Sequence, residues 1–224
     1  LKEAAFLVTE MLALRPDVLQ AMIKSGSRFC VIGHNEFTTD LPGWTHLTPK
    51  DYWDARARGM GGSRIDPLCS CAEENVLGYP GDPYSTESIV IHELAHNIHL
   101  RGMINVDDTF DGRAEKAYEA AMAKGLWKGK YASVNHHEYF AEGVQSWFDN
   151  NRPPDHDHNH VDNKVGGDAW QEHAAGRARI PAQLATAFTT ASPATVTPPM
   201  DRARSAWCWC GSCVFVAPLE QAVP

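Results

Sequence analysis

The segment His92-Glu93-Leu94-Ala95-His96 sets two imidazoles one helical turn apart, with a carboxylate between them. On an α-helix such positions project from one face about 40° apart around the axis, so two neutral ring nitrogens can meet one tetrahedral ion. Glu93 stands one residue round, where it can reach a water in the ion's open position without ligating the ion itself. Zinc lowers the pKa of such a water to about 7, and a neighbouring carboxylate can take the proton as the water attacks a polarised carbonyl. The spacing therefore predicts a single catalytic Zn2+ on His92 and His96, with Glu93 as the general base of a hydrolysis. The competing reading, a core helix carrying two incidental histidines, would have to bury them unpaired among Ile and Leu.

A catalytic zinc needs a third protein ligand. The long zincin pattern would place glycine at position 99 and histidine at 102, but this chain has His99 and Gly102, the reverse. His99 lies two turns from His92, about 10 Å along the axis, and is expected to cap or to hydrogen-bond rather than to ligate. Glu138 and Glu142 are spaced i, i+4 in a stretch made apolar by Tyr139, Phe140, Val144, Trp147 and Phe148, so both carboxylates need a reason to be there. One can ligate while the other accepts the second N–H of an imidazole and fixes its tautomer, a task for which Glu142 is placed. Asn135 and Glu138 also read as a capping box, which competes with a ligand role for Glu138. His136 and His137 are expected in solvent or at the cap.

The elements that must position these groups follow from periodicity and punctuation. Two amphipathic helices broken at Arg15-Pro16 open the chain, and residues 28–33 read as a buried strand. Residues 38–83, rich in Gly, Pro, Asp and Trp, read as loops with one or two edge strands beside a cleft. The helix bearing His92 is expected to start at Ser85 or Thr86 and to stop at Gly102. A second helix is expected over 111–124, and a third from Asn135 to about Asp149. Beyond Asn151 come Pro153-Pro154, the run Asp155-His156-Asp157-His158-Asn159-His160, read as a hydrated loop, and a tail with no sustained period.

SIVIHELAHNIH followed by NHHEYFAEGVQSWF resembles the catalytic domain of the anthrax lethal factor family of zinc metallopeptidases, a gluzincin-like pattern with a downstream Glu ligand. The resemblance covers roughly Arg28 to Asp149, and the family's Glu-aromatic-Phe-Ala-Glu segment matches Glu138-Tyr139-Phe140-Ala141-Glu142. It implies that Glu138 is the third zinc ligand. It also implies that Tyr131, seven residues earlier, donates its hydroxyl to the oxyanion, an effect on the order of 3 kcal/mol for comparable donors. An extended peptide is implied along an edge strand somewhere between Gly59 and Gly81. The segment after Asn151 has no clear counterpart, and the family's docking and delivery domains are absent, so toxin activity does not follow.

Composition bounds the rest. The chain has 224 residues, 43% apolar and 21% charged, which suits one folded domain with a core. A net charge of -8 repels phosphate backbones, so nucleic acid is not an expected partner. No apolar run is long enough to span a bilayer, and the first residues lack the order of a secretion signal. Six cysteines permit three bridges; Cys69 and Cys71, in a turn-rich stretch with side chains expected on opposite sides, favour disulfides and an extracellular, secreted setting. Cys208, Cys210 and Cys213 are one thiol short of a closed zinc site.

The sequence thus predicts an α+β, zincin-like peptidase, mainly helical with a small mixed sheet. Residues 1–163 form the catalytic domain and 164–224 a partly irregular tail. The expected partner is a peptide or protein substrate. The alternative is a zinc-binding interaction domain of the same fold that has lost catalysis.

Overall fold

The structure, a computed structural model, describes residues 1–148 and 150–152, and the backbone of 205–210 and 213–218. The run from Asp155 to His160 lies outside the described residues. The fold is α+β. Helices α1 (Lys2–Met11) and α2 (Pro16–Lys24) lead into strand β1 (Arg28–Ile32), and α3 (Lys50–Arg56) precedes β2 (Gly59–Met60) and β3 (Leu68–Ala72). Then come α4 (Glu73–Leu77), α5 (Ile89–Asn97), a π-helical turn (Ile98–Met103), α6 (Ile104–Val106), α7 (Phe110–Ala123) and α8 (His136–Trp147). Strands β4 (Ser205–Cys210) and β5 (Cys213–Pro218) complete a sheet in the order β2-β3-β1-β5-β4. No helix among the described residues is long and apolar enough to cross a membrane.

β1 and β3 run parallel, with Arg28 opposite Leu68 and Ile32 opposite Ala72, and both faces of this pair are covered. Phe29, Val31, Cys69 and Cys71 turn into the main core with α1, α2, α5 and α8, while Cys30, Ile32, Leu68 and Ala72 join Leu41 and Trp44 in a second cluster. A strand buried on both sides reads as a continuous apolar run instead of an alternating one, which is why RFCVI was legible. β3 is interior where an edge strand was expected; the edge is β2, which pairs antiparallel with β3.

The cysteine expectation needs correcting. Cys69 and Cys71 are i and i+2 on β3, so they share a side of the strand, and both are buried free thiols. Burial, followed by the charge of Glu93, pushes both thiols well above their ordinary pKa. Cys30 is the described cysteine in a disulfide. Within the partly irregular tail, β4 and β5 pair antiparallel with Trp207 opposite Val216 and Trp209 opposite Val214, and Cys213 of β5 stands opposite Cys30 of β1.

α5 begins later than expected, with Ser88 as N-cap accepting from the Ile91 amide. Gly102 does not stop it, because the chain continues through the π-helical turn into α6. The glycine serves close packing instead: a Cβ there would lie 2.6 Å from Val18 Cγ1 and 3.0 Å from Met22 Cγ of α2. Gly102→Ala is therefore expected to destabilise the fold by about 1–3 kcal/mol through overpacking, measured as a lower urea midpoint with an unchanged slope.

Candidate metal centre

α5 packs against α8, and the contact is made by the groups singled out in the sequence. His92 Nε2 lies 3.0 Å from Glu138 Oε2, His96 Nε2 lies 3.1 Å from the same oxygen, and the two ring nitrogens are 3.2 Å apart. Bonds of 2.0–2.1 Å to a tetrahedral ion imply ligand atoms about 3.3 Å from one another, so these three donors fit around a metal with little adjustment. His92 and His96 are buried, and Glu138 is partly so. Glu138 makes no reciprocal capping bond of the kind the box reading required: Asn135 Oδ1 alone caps α8, accepting from the amides of His137 and Glu138.

The second nitrogen of His92 answers to a residue the sequence reading overlooked. His92 Nδ1 is 2.8 Å from Gln145 Oε1, and Gln145 Nε2 in turn donates to Glu87 Oε2 at 3.1 Å and to the Ser88 carbonyl at 3.2 Å. Glu142, expected in that place, has its Oε1 3.6 Å from His92 Nδ1, an ion-pair separation without a hydrogen bond. Its other oxygen accepts from Asn151 Nδ2 at 2.8 Å. Glu142 thus supplies negative charge to the site, and Gln145 sets the ring. A signal existed: Glu138, Glu142 and Gln145 fall at i, i+4 and i+7, one stripe of one helix.

Two further residues complete the centre. Glu93 lines the cleft beside both histidines, and its pKa is raised, chiefly by burial and also by the charge of Glu138, against the lowering influence of His92 and His96. Tyr131 follows from a 3-10 turn just before α8, its ring centroid 5.9 Å from that of His92. Burial, the charges of Glu138 and Glu93, and a hydrogen bond to Glu138 push its hydroxyl up to about 12, so the phenol keeps its proton.

The cleft over these groups measures about 1090 Å³ and is walled by Trp44, Tyr52, Trp53 and Arg56. Its near edge is β2 and the residues after it. A Cβ on Gly61 would stand 2.4 Å from His96 Cβ, so only glycine lets the chain pass the face of α5 that carries His92 and His96, and Asn97 Nδ2 fastens it by donating to the Gly61 carbonyl at 3.3 Å.

A second gathering of imidazoles was not expected. His99 is fully buried, with Nε2 3.0 Å from Asp111 Oδ1; His136 Nε2 is 3.1 Å and His137 Nε2 3.7 Å from the same oxygen. His136 and His137 are thus not simply solvated, and Asp111, in the first turn of α7, is what collects them.

Without a metal, the buried carboxylates around His92 favour its charged form. Burial pulls the His92 pKa down, but the hydrogen bond to Glu138 and the charges of Glu93 and Glu142 outweigh it and raise the value to about 9. Glu138 is correspondingly held well below the carboxylate range: burial raises it, and the bonds to His92 and His96 more than reverse that. Because His92 is raised, its contribution to metal-free stability is complete below its ordinary 6.5 and is lost as pH rises through about 9. Metal must displace that proton, so affinity moves the other way. The expected result is a metal-free melting temperature that falls between pH 6.5 and 9 while metal affinity climbs over the same range, read by thermal melts and metal titrations on one preparation. Gln145→Ala is expected to weaken metal binding by about 10–100-fold, since it removes the acceptor that orients His92.

Comparison of the chain with known protein families, with curated proteins and with solved structures finds no match in any of the three.

Proposed function

We propose that the chain is a zinc-dependent endopeptidase of zincin architecture, like the catalytic domains of the lethal factor family. The observation that carries this reading is the convergence of His92 Nε2, His96 Nε2 and Glu138 Oε2 within 3.2 Å, beside Glu93 and open to a long cleft. Two imidazoles and a carboxylate are a donor set that suits zinc and leaves a fourth position free. Zinc bound there would polarise a substrate carbonyl and acidify a water.

The chain's own groups do the rest. Glu93, its pKa raised by burial, takes the proton of the attacking water and passes it to the leaving amine. Tyr131, protonated across the neutral range, donates to the oxygen on which negative charge develops. The free edge of β2 offers main-chain groups to an extended peptide, and Gly61 keeps that edge close to His96. The disulfide at Cys30 supports an oxidising, extracellular setting.

Three variants separate a peptidase from a metal-binding module without turnover. Glu93→Gln is expected to keep its full zinc content and to lose peptide hydrolysis by about 10³-fold. Tyr131→Phe should lower kcat by about 10²-fold with little change in KM. Glu138→Ala should lose the zinc as well as the activity. Turnover of a mixed peptide library by the wild type, abolished by a chelator and restored by zinc, is the reference; a wild type that holds zinc but cleaves nothing, like Glu93→Gln, would refute the proposal.

A further inference from the structure

We propose that His99, Asp111 and His137 form a second zinc site, structural in role, that ties the π-helical turn, α7 and α8 together. The ligand atoms of these three residues come together within 4.8 Å, as do those of the first centre. His99 Nε2 and His137 Nε2 lie 3.0 and 3.7 Å from Asp111 Oδ1, bracketing the separation of about 3.3 Å that a tetrahedral ion requires. His136 Nε2, 3.1 Å from the same oxygen, is a further nitrogen at that point. Two or three nitrogens and one carboxylate oxygen make a donor set for zinc, unlike the all-oxygen sets of calcium or magnesium.

Two observations favour a metal over a plain hydrogen-bond cluster. Asp111 has its other oxygen, Oδ2, held by the Arg64 guanidinium at 2.6 Å, so Oδ1 is the one turned toward the histidines, an arrangement that ligating carboxylates share. His137 reaches the surface of the cleft, which gives the ion a way in.

The site is weaker than the first, and the reason is visible. His92 Nδ1 has Gln145 to accept its proton, whereas His99 Nδ1 is buried with no hydrogen-bond partner among the described residues. Loss of such an acceptor lowers affinity by about 10–100-fold.

The test is zinc content. The full chain is stripped with chelator, titrated with zinc alone, and its bound metal counted by elemental analysis in the wild type, His137→Ala and Asp111→Asn, and then in His96→Ala with and without His137→Ala. Expected is one equivalent fewer in each of the first two variants. In the His96→Ala background, an equivalent that disappears when His137 is also replaced separates this site from the first, whatever the first proves to do. Circular dichroism confirms the fold of each variant, and if His137→Ala is unfolded Asp111→Asn decides. Equal zinc content in wild type and the folded variants would overturn the proposal.

Discussion

The contact between α5 and α8 is a concentration of like charge around two imidazoles, and the rest of the fold has to make that tolerable. Glu93, Glu138 and Glu142 all act on His92, and Glu142 is almost completely buried. Carboxylates brought together in a poorly solvated place repel one another and lose hydration, a cost of several kcal/mol for each ion. One proton on His92 offsets only part of it. A divalent cation at the point where His92, His96 and Glu138 meet would offset more, and would sit where the ligand atoms already lie at suitable separations. The charge balance and the geometry therefore point to the same place.

Holding such a point needs rigid backing, and part of it comes from groups outside the cleft lining, Gln145 and Asn151. Gln145, fully buried on α8, bridges His92 to Glu87 and to the Ser88 carbonyl, so the α5 N-terminus and the imidazole are set by one amide. Asn151 does the same for Glu142. On the opposite side, the doubly covered pair β1 and β3 supports α5, and the short edge strand β2 brings the Gly59 to Gly61 backbone against the face that carries His92 and His96. Functional groups held by packed helices and locked side chains are placed more exactly than groups on loops.

Local patterns were legible in the sequence, and contacts across long separations were not. The His92 and His96 pair, the Glu138 and Glu142 pair, and the strand 28–32 all follow from a period of 3.6 or from an unbroken apolar run. The convergence of Glu138 with the two histidines rested on resemblance, and α5 packing on α8 is the contact behind it. Gln145 went unread because a glutamine carries no chemistry of its own, although it continues the stripe of Glu138 and Glu142. Gly102 was misread because a helix stop and a close helix approach both call for glycine, and only the position of Val18 and Met22 tells them apart. In the tail, Gly211-Ser212 between two runs with aromatic and β-branched residues is a two-residue hairpin signal, obscured by the cysteines around it. Asp111 had no signal at all, since its partners come from other segments.

Neighbouring residues at the start of α8 face different clusters, and this bears on how the first centre is held. Successive helical side chains diverge by about 100°, and His137 and Glu138 point to different partners. His137 lies toward Asp111 of α7 and His99 beyond α5, while Glu138 lies toward His92 and His96. The first turn of α8 is thereby anchored on two sides, by its Asn135 cap below and by two imidazole-carboxylate clusters around it. A helix end is ordinarily the part that frays. Here that end carries Glu138, and the His99 and Asp111 cluster supplies a constraint that the helix itself lacks.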